Sequence, residues 1–329
     1  MQAVSTVTII IVNWNSWDIL SRCLDKLQAQ TFQNFDVLVV DNASNKPAPE
    51  NLFSRLPRIT LIQNQSNIGF AAANNQAIQS LDSSEWLVLL NPDAFPQPDW
   101  LERLIEAARG NPDYTMFASR QLMDGNSGLL DGDGDAYNVS GLAWRDGHGK
   151  CVDVASPDPR ETFSPCAAAG LYRRDALISV GGFDEDFFCY IEDVDLGFRL
   201  RLMGYRCLLI PGAVVHHIGS ATTGGQRSDF SVYHGHRNLV WAYVKNMPGW
   251  LFWACLPLHI AMNLATIAVF VMRGQGRVIF RAKRDALSRL PKMWRKRQEI
   301  QKNRIASIGD IWHVLDKRLY PDKKVCQTR

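Results

Sequence analysis

Five polar clusters in this 329-residue chain contain the residue types from which a catalytic site is built. Three follow short apolar runs: Asn13-Trp14-Asn15 after 6–12, Asp41-Asn42-Ala43-Ser44 after 35–40, and Asn91-Pro92-Asp93 after 86–90. Glu192-Asp193-Val194-Asp195 follows Phe187, Phe188, Tyr190 and Ile191, and His216-His217 ends the run 213–215. Taken alone, an Asp in an Asn-Pro-Asp turn is a turn former. Asp93 differs because it ends a buried run on the same expected sheet edge as Asp41. A carboxylate there can hold a hard divalent ion, Mg or Mn, that bridges a diphosphate. Asp193 sits against an apolar wall, and a partly desolvated carboxylate has a raised pKa and makes a better general base. Asp195 reads as a helix N-terminal acid paired with Arg199 at i+4. Tandem histidines on a strand face opposite ways, so at most one serves the site, where its imidazole can complete a metal held by Asp93.

The elements that must position these groups alternate strand and helix. Apolar runs at 6–12, 35–40, 59–62 and 86–90 are separated or followed by an amphipathic stretch with Ile19, Leu20, Cys23, Leu24 and Leu27 at helical spacing, an Ala-rich stretch at 69–81 and a helix at 98–108. Runs without alternation are buried on both faces, as in a parallel sheet with crossover helices. In such sheets ligands bind beyond the carboxyl ends of the strands, where the first three clusters fall. Residues 125–165 are rich in Gly, Asp and Pro and read as loops with short strands. A strand and a short helix follow over 167–180, then a helix through 196–203 and short strands at 207–210 and 213–215.

Composition narrows the function classes. Apolar residues make up 46% and charged residues 21%, which excludes disordered, collagen-like and disulfide-scaffold chains. The seven cysteines form no CxxC pair, so free thiols are expected. The net charge of +3 hides an asymmetry: residues 1–272 hold 19 basic against 28 acidic side chains, and residues 273–304 hold 12 against 2. That basic segment calls for an anionic partner, a membrane surface or nucleic acid. No secretory signal is read at the N-terminus. Several motifs fail. Asp131-Gly132-Asp133-Gly134-Asp135 starts like an EF-hand but has Ala136 and Leu142 where Gly and Glu are required, and reads as a surface turn. There is no Walker spacing, no GxGxxG after the first run and no GxSxG.

Seven motifs occur in order: Val12-Asn13-Trp14-Asn15, Val40-Asp41-Asn42-Ala43-Ser44, Asn67-Ile68-Gly69-Phe70, Leu90-Asn91-Pro92-Asp93, Gly181-Gly182-Phe183-Asp184-Glu185, Glu192-Asp193-Val194-Asp195-Leu196 and His217-Ile218-Gly219-Ser220. With them the chain resembles the family 2 glycosyltransferases of the GT-A fold, especially the bacterial rhamnosyltransferase-like branch, over roughly 5–245. The resemblance implies an α/β fold, a Rossmann-like and mostly parallel sheet flanked by helices, with a C-terminal helical tail that associates with membranes. It implies an inverting, metal-dependent transfer of rhamnose or another hexose from a nucleotide diphosphate donor to a glycan or polyprenyl-linked acceptor, in cell-surface polysaccharide synthesis.

Carried over by position, Asn13, Asn15, Asp41, Asn67 and Gly69 line the nucleotide pocket. Asp93 falls on the last acid of the family's DxD motif, while Asn91 replaces the first, leaving one metal carboxylate fewer. Asp193 matches the catalytic base and Glu192 its acidic neighbour. His217 matches a histidine that binds the metal or the diphosphate. Arg237, in a late Arg-Asn pair, suits the leaving diphosphate and a surface ion pair about equally. Trp144 and the loops of 125–165 are guessed as acceptor contacts.

The expected organisation is a catalytic domain over 1–245, divided into a nucleotide half (1–110) and an acceptor half (111–245). Apolar and basic membrane-associating helices over 246–304 and a tail over 305–329 complete it. Residues 250–272 carry no formal charge, and as a helix would be about 35 Å long, enough to span a bilayer. Pro257, and His259 with Asn263 on one face, favour an interfacial location over a span or a buried helix. The expected place is therefore the cytoplasmic face of a bacterial inner membrane, peripheral or monotopic, with an anionic lipid surface as partner. Nucleic acid is not expected as a partner, and a homodimer is left open. The competing functions are a nucleotide-sugar-binding protein without turnover and a nucleotidyltransferase.

Overall fold

A computed structural model describes residues 6–219 and 227–318. Ser220 of the last motif and the tail beyond Arg318 lie outside the described residues. In chain order the first half runs β1 (Val7–Asn13), α1 (Trp17–Gln28), β2 (Phe35–Asp41), β3 (Ile59–Gln63), α2 (Phe70–Ser80), β4 (Trp86–Leu90), β5 (Ala94–Pro96) and α3 (Trp100–Gly110). Next come β6 (Met116–Met123), β7 (Asn126–Asp133), β8 (Asp135–Tyr137), β9 (Ala143–Arg145), β10 (Arg160–Thr162), β11 (Ala169–Arg173), α4 (Arg174–Ser179), α5 (Glu192–Leu202) and β12 (Cys207–His217). Among the described residues five helices follow: α6 (Asp229–Asn246), α7 (Gly249–Met272), α8 (Gly276–Ser288), α9 (Leu290–Lys302) and α10 (Ile308–Val314).

The main sheet has ten strands, ordered β10-β12-β6-β11-β4-β1-β2-β3, with β5 on β12 and β7 on β6. Strands β3, β2, β1 and β4 are parallel, as their unbroken apolar runs require. β11 enters antiparallel between β4 and β6, which leaves β6 and β12 running the same way as β4. The carboxyl ends of β1, β2, β4 and β12 therefore share one edge, and that edge receives the polar clusters.

Helix α1 shows how sequence builds this frame. Trp17, Leu20, Cys23, Leu24 and Leu27 recur at helical spacing and are all buried, each large side chain contributing about 1.5–3 kcal/mol. They join Val7, Ile9 and Ile11 on one face of the sheet, while Ile10, Leu38, Val40 and Ala77 form the core on the other.

Three expectations need correction. The runs 207–210 and 213–215 are one strand, β12, with a bulge between Ile210 and Val214 at Pro211-Gly212. The stretch 125–165 contains an eight-residue strand, β7, whose antiparallel pairing with β6 buries its second half. Free thiols are found at Cys23, Cys166, Cys189, Cys207 and Cys255, but Cys151 is disulfide-bonded.

The C-terminal helices pack on the body. α6 contacts α8 and α9, and one apolar cluster joins Phe187, Phe198 and Trp241 to Leu251, Ala286, Met293 and Ile311. Pro257 lies inside an uninterrupted helix α7. Leu251, Phe252, Cys255 and His259 face the body, whereas Trp250 and Trp253 are 61% and 63% exposed. His259 bonds the Ser140 carbonyl at 2.8 Å, and Lys283 donates to Asn263 Oδ1 at 2.6 Å, so the polar pair His259 and Asn263 faces protein.

Candidate active site

The end of β1 and the end of β2 meet side chain to side chain. Asn13 Nδ2 donates to Asp41 Oδ1 at 3.1 Å, and Ser44 Oγ donates to the same oxygen at 2.5 Å. Asn15 closes the cluster: its N–H donates to Ser44 Oγ and its side-chain oxygen accepts from Asn45 N–H. Beside it Asn42 donates to Asn67 Oδ1 and to the Gly69 carbonyl. Gly69 has φ +89°, and a Cβ there would stand 2.5 Å from the Phe188 ring and 2.8 Å from its carbonyl oxygen. Only glycine tolerates both the conformation and the contact. Asn13, Asn15, Asp41, Asn67 and Gly69 are thus brought into adjoining polar networks.

Asp93 meets the end of β12. His217 is 2% exposed, and its Nε2 stands 3.3 Å from Asp93 Oδ1 without the alignment of a hydrogen bond. Its Nδ1 bonds Asp131 Oδ2 at 2.7 Å, which fixes the ring and leaves Nε2 aimed at Asp93. Burial opposes a charged imidazole, yet Asp131 and Asp93 outweigh it and raise the His217 pKa. A buried ring nitrogen without a hydrogen bond beside a carboxylate is a donor set that fits a divalent cation, with Asp131 in the orienting place that metal-binding histidines use. His216 does not share this position: it is partly exposed, as alternation demands.

The turn expected at the surface, 131–135, is interior instead. Asp131, Asp133 and Asp135 are 5%, 1% and 4% exposed. Asp131 binds Arg145 and His217, and Asp133 takes a two-pronged bond from Arg120 at 2.9 and 2.8 Å. Despite their spacing of two, Asp131 and Asp133 do not simply alternate, because the β6–β7 register breaks at Asp131, and arginines from other segments neutralise both. Asp131, Asp135 and Arg145 are the residues that sequence reasoning missed; the only sequence signal was that period of two.

Asp193 lies in the first turn of α5. Its Oδ2 accepts from Ala167 N–H at 3.2 Å and its Oδ1 from Val194 N–H at 2.9 Å. Ala167 adjoins Ala168, whose carbonyl accepts from Asn91 N–H at 3.0 Å, so the Asn-Pro-Asp turn and the Asp193 loop are tied together. Asn91 is partly exposed at this tie. Burial raises the Asp193 pKa against the pull of those N–H groups and Arg145. Glu192 is 6% exposed with Oε2 unpartnered, and burial followed by Asp193 raises its pKa well above the usual range. Asp195 is paired with Arg199 at 2.9 Å, as expected, and also with Lys245 at 2.8 Å.

The loop before Asp193 is strained. Phe188, Tyr190 and Ile191 all have φ between +65° and +68°. Phe188 makes a γ-turn in which Cys189 N–H bonds the Phe187 carbonyl at 2.8 Å, a strained form. The Arg-Asn pair holds it. Asn238 donates to the carbonyls of Phe187, Cys189 and Tyr190, and Arg237 donates to those of Phe187 and Asp186. The structure thus gives Arg237 a partner set in the loop rather than a surface ion pair. Trp144 is partly exposed on β9, next to Arg145. A cavity of about 350 Å³ borders Asp135, Glu161, Phe163 and Asp316 but not Asp41, Asp93 or Asp193, so it is not the site described above.

The sequence model of glycosyl transferase family 2 matches residues 8–181, more than half of the chain. The chain belongs to this family. It is 28% identical over 252 residues to the N-acetylglucosaminyl-diphospho-decaprenol L-rhamnosyltransferase of Mycobacterium tuberculosis, covering 69% of this chain and 80% of that protein. It is 30% identical over 225 residues to the O-antigen biosynthesis protein RfbC of Myxococcus xanthus, covering 64% of this chain and 17% of that one. Among solved structures it is similar to GalNAc-T7 with UDP, GalNAc and Mn²⁺, with TM-score 0.58 and 16% identity over 74% of this chain and 48% of that chain. It is also similar to the mannosyltransferase PcManGT of Pyrobaculum calidifontis in complex with GDP-Man and Mn²⁺, with TM-score 0.51 and 19% identity over 94% and 87%. At such identities these two likenesses speak for the fold, which is GT-A. The protein is a glycosyltransferase.

Proposed function

We propose that this glycosyltransferase moves rhamnose or another hexose from a nucleoside diphosphate donor to a polyprenyl-linked or glycan acceptor, with inversion, in cell-surface polysaccharide synthesis. The observation that carries the reading is the placement of Asp193. It is a half-buried carboxylate pinned by two backbone N–H groups, with a raised pKa, and its loop is tied to the turn that carries Asp93. The relative named for a diphospho-decaprenol acceptor supports the acceptor class.

In this reading Asn13, Asn15, Asp41, Asn67 and Gly69 hold the nucleoside, and Asn91 adjoins the diphosphate. Asp93 and His217 hold a divalent cation, Mg or Mn, which when bound supplies positive charge against the leaving diphosphate. Asp193 takes the proton from the acceptor hydroxyl. The hydroxyl oxygen then bonds the anomeric carbon opposite the breaking bond to the diphosphate, so configuration inverts in one displacement. Burial favours the neutral form of Glu192 beside Asp193. Arg237 acts by holding the loop that carries the base.

Residues 1–245 form the catalytic unit and 246–304 an arm that rests on the cytoplasmic face of a membrane. The exposed apolar side of α7 supports this location: Trp250, Trp253, Ile260 and Leu264 are each more than half exposed. The test is a thermal-shift screen of dTDP-, UDP- and GDP-sugars with and without Mn²⁺ or Mg²⁺, followed by transfer to N-acetylglucosaminyl-diphospho-polyprenol. Preferential ligand binding to the native state raises the melting temperature. Response to one donor family, and transfer lost in Asp193→Asn, is the expected result; no response to any donor overturns the reading.

A further inference from the structure

Asp135 is buried without a structural reason for its carboxyl. Its position is fixed by backbone alone: its N–H donates to the Ser164 carbonyl at 2.9 Å, and it pairs with Arg145 in the β8–β9 ladder. Gly134 before it has φ +82°, and a Cβ there would stand 2.8 Å from Thr162 Oγ1, so the approach is rigid. Asp135 is 4% exposed, and its Oδ2 has no hydrogen-bond partner among the described residues. One carboxylate oxygen of Asp135, Cys166 Sγ and one carboxylate oxygen of Asp193 lie within 4.8 Å of one another. An unpartnered buried polar atom calls for a ligand that will satisfy it.

We propose that Asp135 recognises the acceptor by hydrogen-bonding the sugar hydroxyl adjacent to the one that Asp193 deprotonates. Neighbouring hydroxyls on a sugar ring stand about one hydrogen-bond length apart, a span that two carboxyls this close grip together. The acceptor class is therefore a pyranose with two adjacent free hydroxyls at its receiving end. Burial, and then the nearby Asp193, holds the Asp135 carboxyl well above its ordinary range. That shift favours the protonated form of Asp135, the form able to donate to a sugar hydroxyl beside Asp193. The remaining neighbour, Cys166, is pushed up to about 12 by burial and stays a neutral thiol. The proposal rests on Asp193 being the base.

The experiment uses the full chain, the preferred donor, and N-acetylglucosaminyl-diphospho-polyprenol with its monodeoxy analogues. Acceptor KM, kcat and hydrolysis of the donor by water are read separately. Asp135→Ala should raise acceptor KM roughly tenfold, the worth of one buried hydrogen bond, while donor hydrolysis stays within about twofold. Asp135→Asn, which keeps a donor of the same shape, should restore most of that loss. One monodeoxy analogue should lose a similar factor with the wild type and nothing more with Asp135→Ala, the signature of a shared contact. An unchanged acceptor KM in Asp135→Ala, or an equal fall in hydrolysis and transfer, overturns the proposal. So does an Asp135→Asn as impaired as the alanine variant. Donor hydrolysis without transfer to any of these acceptors by the wild type removes the acceptor reading beneath it, and the proposal with it.

Discussion

In the proposed mechanism the chemistry rests on carboxyls that differ by environment. Burial pushes the Asp193 carboxyl up, and a base works only when ionised. Transfer should therefore rise with pH along a limb centred above the ordinary aspartate value of about 3.9. Asp193→Asn should lose about a hundredfold or more in kcat with its melting temperature retained, and should abolish that limb. Asp131 is the opposite case. Burial would raise it, but bonds from His148 and His217 and the charge of Arg145 hold it far below the usual range. As the group that fixes His217, it should matter to the cation more than to the fold. Asp131→Asn should weaken Mn²⁺ affinity about 10- to 100-fold, read by calorimetry on the enzyme with nucleoside diphosphate present. Asp193 was legible from its sequence context, an acid after an aromatic wall. Asp131 was not, because its meaning depends on His217, 86 positions away.

At the scale of elements, ion pairs reinforce the apolar join of helices α6 and α9 to the catalytic body. Lys245 is 1% exposed and bonds both Asp184 and Asp195. Lys296 bonds Asp184 at 2.5 Å and Asp186 at 2.7 Å, and Lys292 bonds Asp186 at 2.5 Å. Removing one partner of a buried pair strands its charge. Lys245→Met should cost about 3–5 kcal/mol in urea unfolding. Burial would raise Asp184, but Lys245 and Lys296 pull it below the usual carboxylate range. Its stabilising contribution is therefore complete above the unfolded carboxylate pKa near 4 and is lost as pH falls below that. Wild type should lose more stability than Lys245→Met between pH 6 and pH 3. The helices themselves were readable from periodicity. Their docking was not, since a basic segment looks the same whether it meets lipid or the acidic loop 184–186.

For the whole molecule, the basic run divides its labour. Lys283, Lys292, Lys296 and Arg297 are spent on internal acceptors. Arg273, Arg277, Arg281, Arg284, Arg289, Arg295 and Lys302 remain exposed. Near anionic lipid each such cation contributes on the order of 1 kcal/mol, and exposed tryptophans suit the headgroup level. Flotation should show binding to vesicles with anionic lipid that weakens as salt rises. Replacing Trp250 and Trp253 together by Ala should lower that binding at least about tenfold, since each buries a large ring in the interface. Binding that ignores both salt and these residues would place the membrane contact elsewhere.

The sequence by itself determined the strand–helix alternation, the sheet edge that collects Asn13, Asp41 and Asp93, and the family. Those follow from local hydrophobic period and ordered motifs, which a chain carries before it folds. Tertiary structure alone decided that 131–135 turns inward, that Arg237 serves a loop, and that Asp135 faces Asp193. A buried carboxyl is tolerable only where distant partners neutralise it or where a ligand will, and those partners are assembled by folding, not by neighbouring residues.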